Sequence, residues 1–232
     1  MTHPTFSPIL QSAADAAPGV RLFRFVSPPG FIFTPGQFLM FHFDGDPKTW
    51  RAYSLCSSPA KSGDHFEVTI GMVGAFSLRL GQLQPGVEGG LVARGPFGKW
   101  VYNGTDTHAV LVSGGTGLTP FRAMCLLKAE GGLAGKITLC CSAKTQEGLL
   151  YRAEYDGWRQ NGINVNEKVT QCGAGSRWTA AMVFAAANDA AAVYYLCGPD
   201  GMVKEMSAGL KALGVGDANL RIEKWGDYTD LF

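Results

Sequence analysis

The sequence predicts two joined architectures, an antiparallel β barrel over residues 1–103 and a doubly wound α/β fold over residues 104–232. Three observations carry this. Short strand-like runs separated by Ser, Pro and Gly fill the first hundred residues. Strand-like and helix-like patterns then alternate to the C-terminus. Between them, around residues 103–106 (Asn-Gly-Thr-Asp), the rhythm changes.

In the first half, residues 20–26 alternate, with Val20, Leu22 and Val26 among the apolar members, and 36–43 follow a Pro-Gly turn. Residues 50–55, 65–73 and 90–93 continue the strand pattern, and a short helix is expected over 77–84, closed by Pro85-Gly86. Several short strands at this spacing favour a barrel or sandwich. After Gly104, residues 109–113 form an apolar run suited to a parallel strand buried on both faces. Further strands are expected at 137–141, 164–170, 191–197 and 220–225, with helices at 121–129, 148–160, 179–187 and 201–213.

Composition narrows the function classes. With 46% hydrophobic and 17% charged residues among 232, the chain can bury a substantial core. Its formal charge of +1 supplies no reason to expect a nucleic acid or an acidic membrane as partner. Six cysteines (Cys56, Cys125, Cys140, Cys141, Cys172, Cys197) sit in apolar stretches with no C-x-x-C pair, as expected of reduced core residues. The first six residues show no export signal, and the alanine-rich stretch 178–197 is cut by Asn188-Asp189. The expectation is a cytoplasmic protein with no membrane span. Four scattered histidines (His3, His42, His65, His108) suggest neither a zinc cage nor a triad base, so no metal site is expected. There is no Tyr-x-x-x-Lys pair of the short-chain dehydrogenase kind.

Four local patterns carry possible chemistry. Gly114-Gly115-Thr116-Gly117-Leu118-Thr119-Pro120 follows a strand and opens a helix, where glycines admit a pyrophosphate to unpaired N–H groups and Pro120 suits the first helical position. Taken alone it also fits a plain strand–helix turn. In Arg51-Ala52-Tyr53-Ser54, Arg51 can grip a phosphate, Tyr53 on the same strand face can stack on a planar ring, and Ser54 can donate to a ring nitrogen. An ordinary amphipathic strand reads the same way. Gly74-Ala75-Phe76-Ser77 precedes a helix, either as a second phosphate turn or as a simple cap by Ser77. Finally, Cys197-Gly198-Pro199 ends a strand at the edge where open α/β sheets bind ligands.

Together with Glu223-Lys224-Trp225 near the end, these patterns resemble the ferredoxin–NADP reductase superfamily in order and spacing from about residue 6 to 225. The resemblance implies an FAD-binding barrel over 1–103 and an NAD(P)-binding domain over 104–232. It implies that Arg51 binds the FAD pyrophosphate, Tyr53 stacks on the isoalloxazine and Ser54 hydrogen-bonds flavin N5, with main-chain phosphate contacts from Phe76 and Ser77. Gly114, Gly115, Thr116, Gly117 and Pro120 would form the turn that cradles the nicotinamide nucleotide. Cys197, followed by Gly198 and Pro199, would sit near nicotinamide C4, with Glu223 at the mouth. Ser54, Cys197 and Glu223 are therefore the expected catalytic set, and Trp225 or Phe232 would shield the flavin. The implied activity is hydride transfer from NADH or NADPH to FAD, then single electrons to a separate acceptor: a ferredoxin, a flavodoxin, a Rieske-type oxygenase component or a small molecule.

Two departures matter. No C-x₄-C-x₂-C spacing occurs, so no iron–sulfur cluster is expected in this chain. Where many NADP-specific members have Ser-Arg, this sequence has Thr170-Gln171, which tilts the expectation towards NADH unless Lys144 or Arg177 reads a 2′-phosphate. The alternatives are a non-catalytic or regulatory FAD-containing electron-transfer subunit of a larger complex, and a diffusible flavin reductase that does not retain its flavin.

Overall fold

The structure, a computed structural model, describes residues 3–46, 48–102, 104–171 and 177–223. Trp225 and Phe232, the two expected flavin shields, fall outside these residues.

The antiparallel half contains β1 (Thr5–Phe6), β2 (Leu10–Ala17), β3 (Val20–Val26), β4 (Phe38–Phe43), β5 (Arg51–Ser54) and β6 (His65–Gly71). Helix α1 (Ala75–Leu80) and strand β7 (Leu91–Phe97) complete it. One sheet has the order β1-β7-β4-β5 and the other β2-β3-β6, with a Leu55–Val68 bridge between them, giving a barrel-like pair. The core is aromatic: Phe23, Phe25, Phe41 and Phe66 are fully buried. In β3 the buried face is therefore that of Phe23 and Phe25, while Val26 is exposed, because two phenyl rings withdraw far more apolar area than the valines and leucine beside them. Strand β2 has no counterpart in the sequence reading. Its Leu-Gln-Ser-Ala-Ala-Asp-Ala-Ala lacks alternation and favours helix intrinsically, but pairing with β3 overrides that preference.

The second half contains β8 (His108–Gly114), α2 (Thr119–Ala129), β9 (Lys136–Ala143), α3 (Tyr155–Gln160) and β10 (Ile163–Val169). It continues with α4 (Ala180–Ala187), β11 (Val193–Cys197), α5 (Asp200–Ala212) and β12 (Leu220–Ile222). All five strands are parallel, in the order β10-β9-β8-β11-β12. Strand order reverses between β8 and β11, the switch point at which such sheets open a crevice. Alternate strand residues serve opposite faces. Leu111, Leu139 and Tyr195 pack with Phe121 and Met124 of α2 and Trp158 of α3. Val110, Val112 and Leu196 pack with Val183 of α4 and with Val203, Met206 and Leu210 of α5. This double burial explains the unbroken apolar runs.

The expected helix over 148–160 is broken. Residues Arg152–Glu154 form a 3₁₀ turn and only Tyr155–Gln160 are α-helical, because Tyr151 is left-handed at φ 58°. That conformation disfavours a bulky side chain. It is compensated by burial of the ring and by a hydrogen bond from the Tyr151 hydroxyl to Thr69 Oγ1 at 2.6 Å. Among the described residues no helix is long and apolar enough to cross a membrane.

Candidate functional site

Three of the sequence patterns meet at the C-terminal edge of the parallel sheet. Strand β8 ends at Gly114, residues Gly115–Leu118 form a 3₁₀ turn, and Pro120 stands in the first turn of α2. Cys197, the last residue of β11, pairs in register with Ser113 of β8. Its neighbour Leu196 pairs with Ile222 of β12 and accepts the Glu223 main-chain N–H at 3.0 Å. The register thus brings Gly114–Gly117, Cys197–Pro199 and Glu223 to one edge.

Two of the glycines differ in their reason. A Cβ on Gly117 would lie 2.8 Å from the Gly198 Cα and press into the Cys197 carbonyl, so the two turns pack backbone to backbone. Gly115 is left-handed at φ +57°, yet a Cβ there would meet nothing within 4 Å. The turn is consequently tight towards Cys197 and open, at exposed Gly115, towards solvent. An open Gly-rich turn at a helix start fits the backbone approach that a dinucleotide pyrophosphate requires. Glu223 is largely withdrawn from water, and burial alone pushes its carboxyl up to about 7. Cys197 is fully buried.

The other two patterns meet in the antiparallel half. Strand β5 pairs with β4 so that Tyr53 lies opposite Leu39 and Ser54 opposite Phe38. The Tyr53 ring is 5.9 Å from Phe41 and 6.1 Å from Phe76, which itself lies 5.1 Å from Phe43. Burial raises the Tyr53 phenol to about 12, with the Arg51 charge acting in the opposite sense. Arg51 is exposed, its guanidinium donating to the Trp50 carbonyl at 2.9 Å. Ser77 is not the N-cap of α1, which is Gly74. Its hydroxyl accepts from the Val73 and Gly74 N–H groups, each at 3.1 Å, and donates to the Gly74 carbonyl at 3.0 Å. The Ser77 side chain is thus engaged locally, and the first-turn N–H groups of Phe76 and Ser77 have no partner within the helix. A phosphate and a planar ring are what this exposed guanidinium, half-buried phenol and short helix start can accommodate.

Sequence reasoning missed the charges between the halves. Arg122 of α2 bonds Glu67 of β6 at 2.5 Å and the Cys56 carbonyl at 3.1 Å, only two residues beyond Ser54. The available signal was a lone Arg in the apolar run Phe121–Cys125. The partners of His108, one of four scattered histidines, were not foreseen either. Its ring nitrogens lie 3.0 Å from Asp189 Oδ2 and 2.9 Å from Thr138 Oγ1, which ties strand beginnings together at the opposite edge of the sheet. Among the described residues no group of three His, Cys, Asp or Glu side chains is placed to hold a metal. In β10 the pairing runs on, Thr170 and Gln171 donating to the carbonyls of Ala143 and Lys144 at 2.9 Å each, so Lys144 lies beside Gln171.

Comparison with known proteins matches both halves to described families. Residues 9–102 match the oxidoreductase FAD-binding domain and residues 111–208 the oxidoreductase NAD-binding domain. The chain is therefore an FAD-dependent NAD(P)H oxidoreductase. It belongs to the ferredoxin–NADP reductase superfamily. It is 28% identical to ferredoxin–NADP reductase B of Sorangium cellulosum, over 95% of this chain and 97% of that one. It is 27% identical to the toluate 1,2-dioxygenase electron transfer component of Pseudomonas putida, over 83% of this chain but only 59% of that one. Its fold is shared with the ferredoxin NADP+ reductase of Neisseria gonorrhoeae with bound FAD and NADP, at TM-score 0.77 and 17% identity, covering 96% of this chain and 98% of that one.

Proposed function

We propose that this protein takes a hydride from NAD(P)H and delivers single electrons to a separate acceptor, a ferredoxin or the oxygenase component of a multicomponent system. The observation that carries the site assignment is the meeting of Gly115, Cys197 and Glu223 at one sheet edge, with α2 bonded across to the segment that follows Arg51–Ser54.

FAD, when bound, supplies the two-electron to one-electron conversion that no side chain can perform. The chain's own residues bind, orient and hold protons. Arg51 and the main-chain N–H groups of Phe76 and Ser77 grip the flavin pyrophosphate, and Tyr53 covers the ring. Ser54 would donate a hydrogen bond to a ring nitrogen of the flavin. The turn from Gly114 to Gly117, with Pro120 starting α2, holds the dinucleotide phosphates. Cys197, with Gly198 and Pro199 turning the chain behind it, forms the wall against which the nicotinamide is positioned. Glu223, protonated over part of the neutral range, closes the mouth and can donate a hydrogen bond there. Trp225 or Phe232, both beyond the described residues, is the proposed flavin shield. A relative named as an electron transfer component of a dioxygenase supports the oxygenase branch, and one named ferredoxin–NADP reductase the ferredoxin branch.

The test is an anaerobic titration of the purified flavoprotein with NADH and NADPH in turn, followed by mixing with a plant-type ferredoxin, a flavodoxin and a Rieske-type ferredoxin. Bleaching by at least one nucleotide and oxidation by one of the three carriers is expected. A flavin that neither nucleotide bleaches would instead favour a non-catalytic electron-transfer subunit.

A further inference from the structure

Helix α2 belongs to both halves of the molecule. Phe121, Met124 and Cys125 pack in the parallel-sheet core, whereas Ala123 packs among the barrel residues. Between them Arg122 is 8% exposed. Its Nη1 reaches Glu67 Oε2 at 2.5 Å and the Cys56 carbonyl at 3.1 Å, both in the antiparallel half. Its Nε donates to the two Glu154 carboxylate oxygens at 2.9 and 3.0 Å, in its own half. The second Glu67 oxygen takes Arg24 Nε at 2.8 Å and Nη2 at 2.7 Å. The guanidinium lies 4.8 Å from the centre of the Tyr151 ring, whose hydroxyl bonds Thr69 of β6. Ser58 donates to Glu130 at the other end of α2.

Burying such charges gives little net stability over a well-packed apolar pair. What a guanidinium bonded on both edges does provide is direction, because its donors lie in one plane at fixed angles. The position of this fork is specific too. Arg122 is the fourth residue of the helix that the Gly114–Gly117 turn leads into, and its partner Cys56 follows Ser54 by two residues.

We propose that Arg122 is a positioning residue for hydride transfer, holding the Gly115 turn and the Ser54 strand at one separation and one angle through its bonds to Glu67 and Cys56. The functional part of this rests on the reading that those two segments carry the nicotinamide and flavin rings. Hydride transfer is steep in geometry, and a misplacement of about 1 Å can cost about 10²-fold. Loss of the fork therefore acts on the chemical step while each half keeps its own binding surface.

The test uses Arg122→Lys, which keeps charge but loses the fork, and Glu67→Gln, which keeps shape but loses charge. Spin labels are introduced through unnatural amino acids at exposed Glu88 and Lys204, one in each half. Their distance distribution is measured by pulsed electron resonance in flavin-free protein. Both variants should broaden it relative to the parent. In the flavin-loaded variants, hydride transfer at saturating nucleotide should slow by about 10-fold or more, with nucleotide Kd within about twofold of the parent. A distribution as narrow as the parent's overturns the proposal, even if Tm falls, and so does a broadened distribution with an unchanged rate. If Arg122→Lys does not fold, Glu67→Gln decides alone. Should the ring assignment itself be wrong, Ser54→Ala would be silent in hydride transfer while the spin-label distances still report on Arg122.

Discussion

The main-chain N–H of Glu223 donates to the carbonyl of Leu196 at 3.0 Å, which seats Glu223, its carboxyl withdrawn from water, at the end of the β11–β12 pairing. Burial raises that carboxyl from 4.5 to about 7, and no cation among the described residues offsets it. The folded state therefore binds its proton more tightly than the unfolded chain does. Glu223 contributes fully below about pH 4.5, and that contribution is lost as pH rises towards 7, by at most about 3 kcal/mol. Glu223→Gln should remove the effect. Denaturant midpoints of the flavin-free protein, compared at about pH 5 and pH 8, should show the variant gaining on the parent at the higher pH. A constant difference would place the carboxyl in water.

The two glycines of the first turn should fail in different ways. Gly117→Ala drives a methyl into the Cys197–Gly198 backbone, an overpacking cost of about 1–3 kcal/mol read as a lower Tm. Gly115→Ala meets no neighbour and carries only the left-handed strain of about 1–2 kcal/mol, but its methyl points into the open approach to the turn. Nucleotide affinity, measured by calorimetry, should fall more for Gly115→Ala per unit of stability lost.

Arg51 is exposed, and its side chain bonds only the neighbouring Trp50 carbonyl among the contacts described above, so Arg51→Ala should leave Tm of the flavin-free protein nearly unchanged. If the guanidinium grips the flavin pyrophosphate, FAD affinity should drop by about 10- to 100-fold, the scale of a charge-assisted hydrogen bond. Equilibrium dialysis against free FAD measures this. FMN, which lacks the pyrophosphate, should be indifferent to the substitution.

Ser54→Ala should slow flavin reduction by about 10²-fold at saturating NAD(P)H, the effect of losing one well-placed donor. Stopped-flow absorbance is the measurement. Parent-like rates would remove Ser54 from the mechanism.

The fold was legible where burial is two-sided or turns are explicit. The apolar runs of β8 and β11 and the Gly114–Pro120 turn could be read because their chemistry is local. Strand β2 could not, since its alanines name no period and only β3 makes it a strand. The inward face of β3 was obscured because both faces of Val-Arg-Leu-Phe-Arg-Phe-Val carry apolar residues. At the site, the types of residue were readable but not their company. Glu67 and Arg122 are 55 residues apart, and no local pattern announces a pair made between a strand of one half and a helix of the other. Nor could spacing reveal that Gly117 is required by the Cys197 carbonyl while Gly115 is required only by its backbone angle.

The most direct measurement is a crystal structure of the protein grown with FAD and an oxidised nicotinamide nucleotide. The account predicts the isoalloxazine against Tyr53 with its hydride-accepting nitrogen at Ser54, and the dinucleotide phosphates on the Gly115 turn. It also predicts the nicotinamide between that ring and Cys197. A structure with side chains filling the space between Ser54 and Cys197, and either ring bound elsewhere, would contradict it.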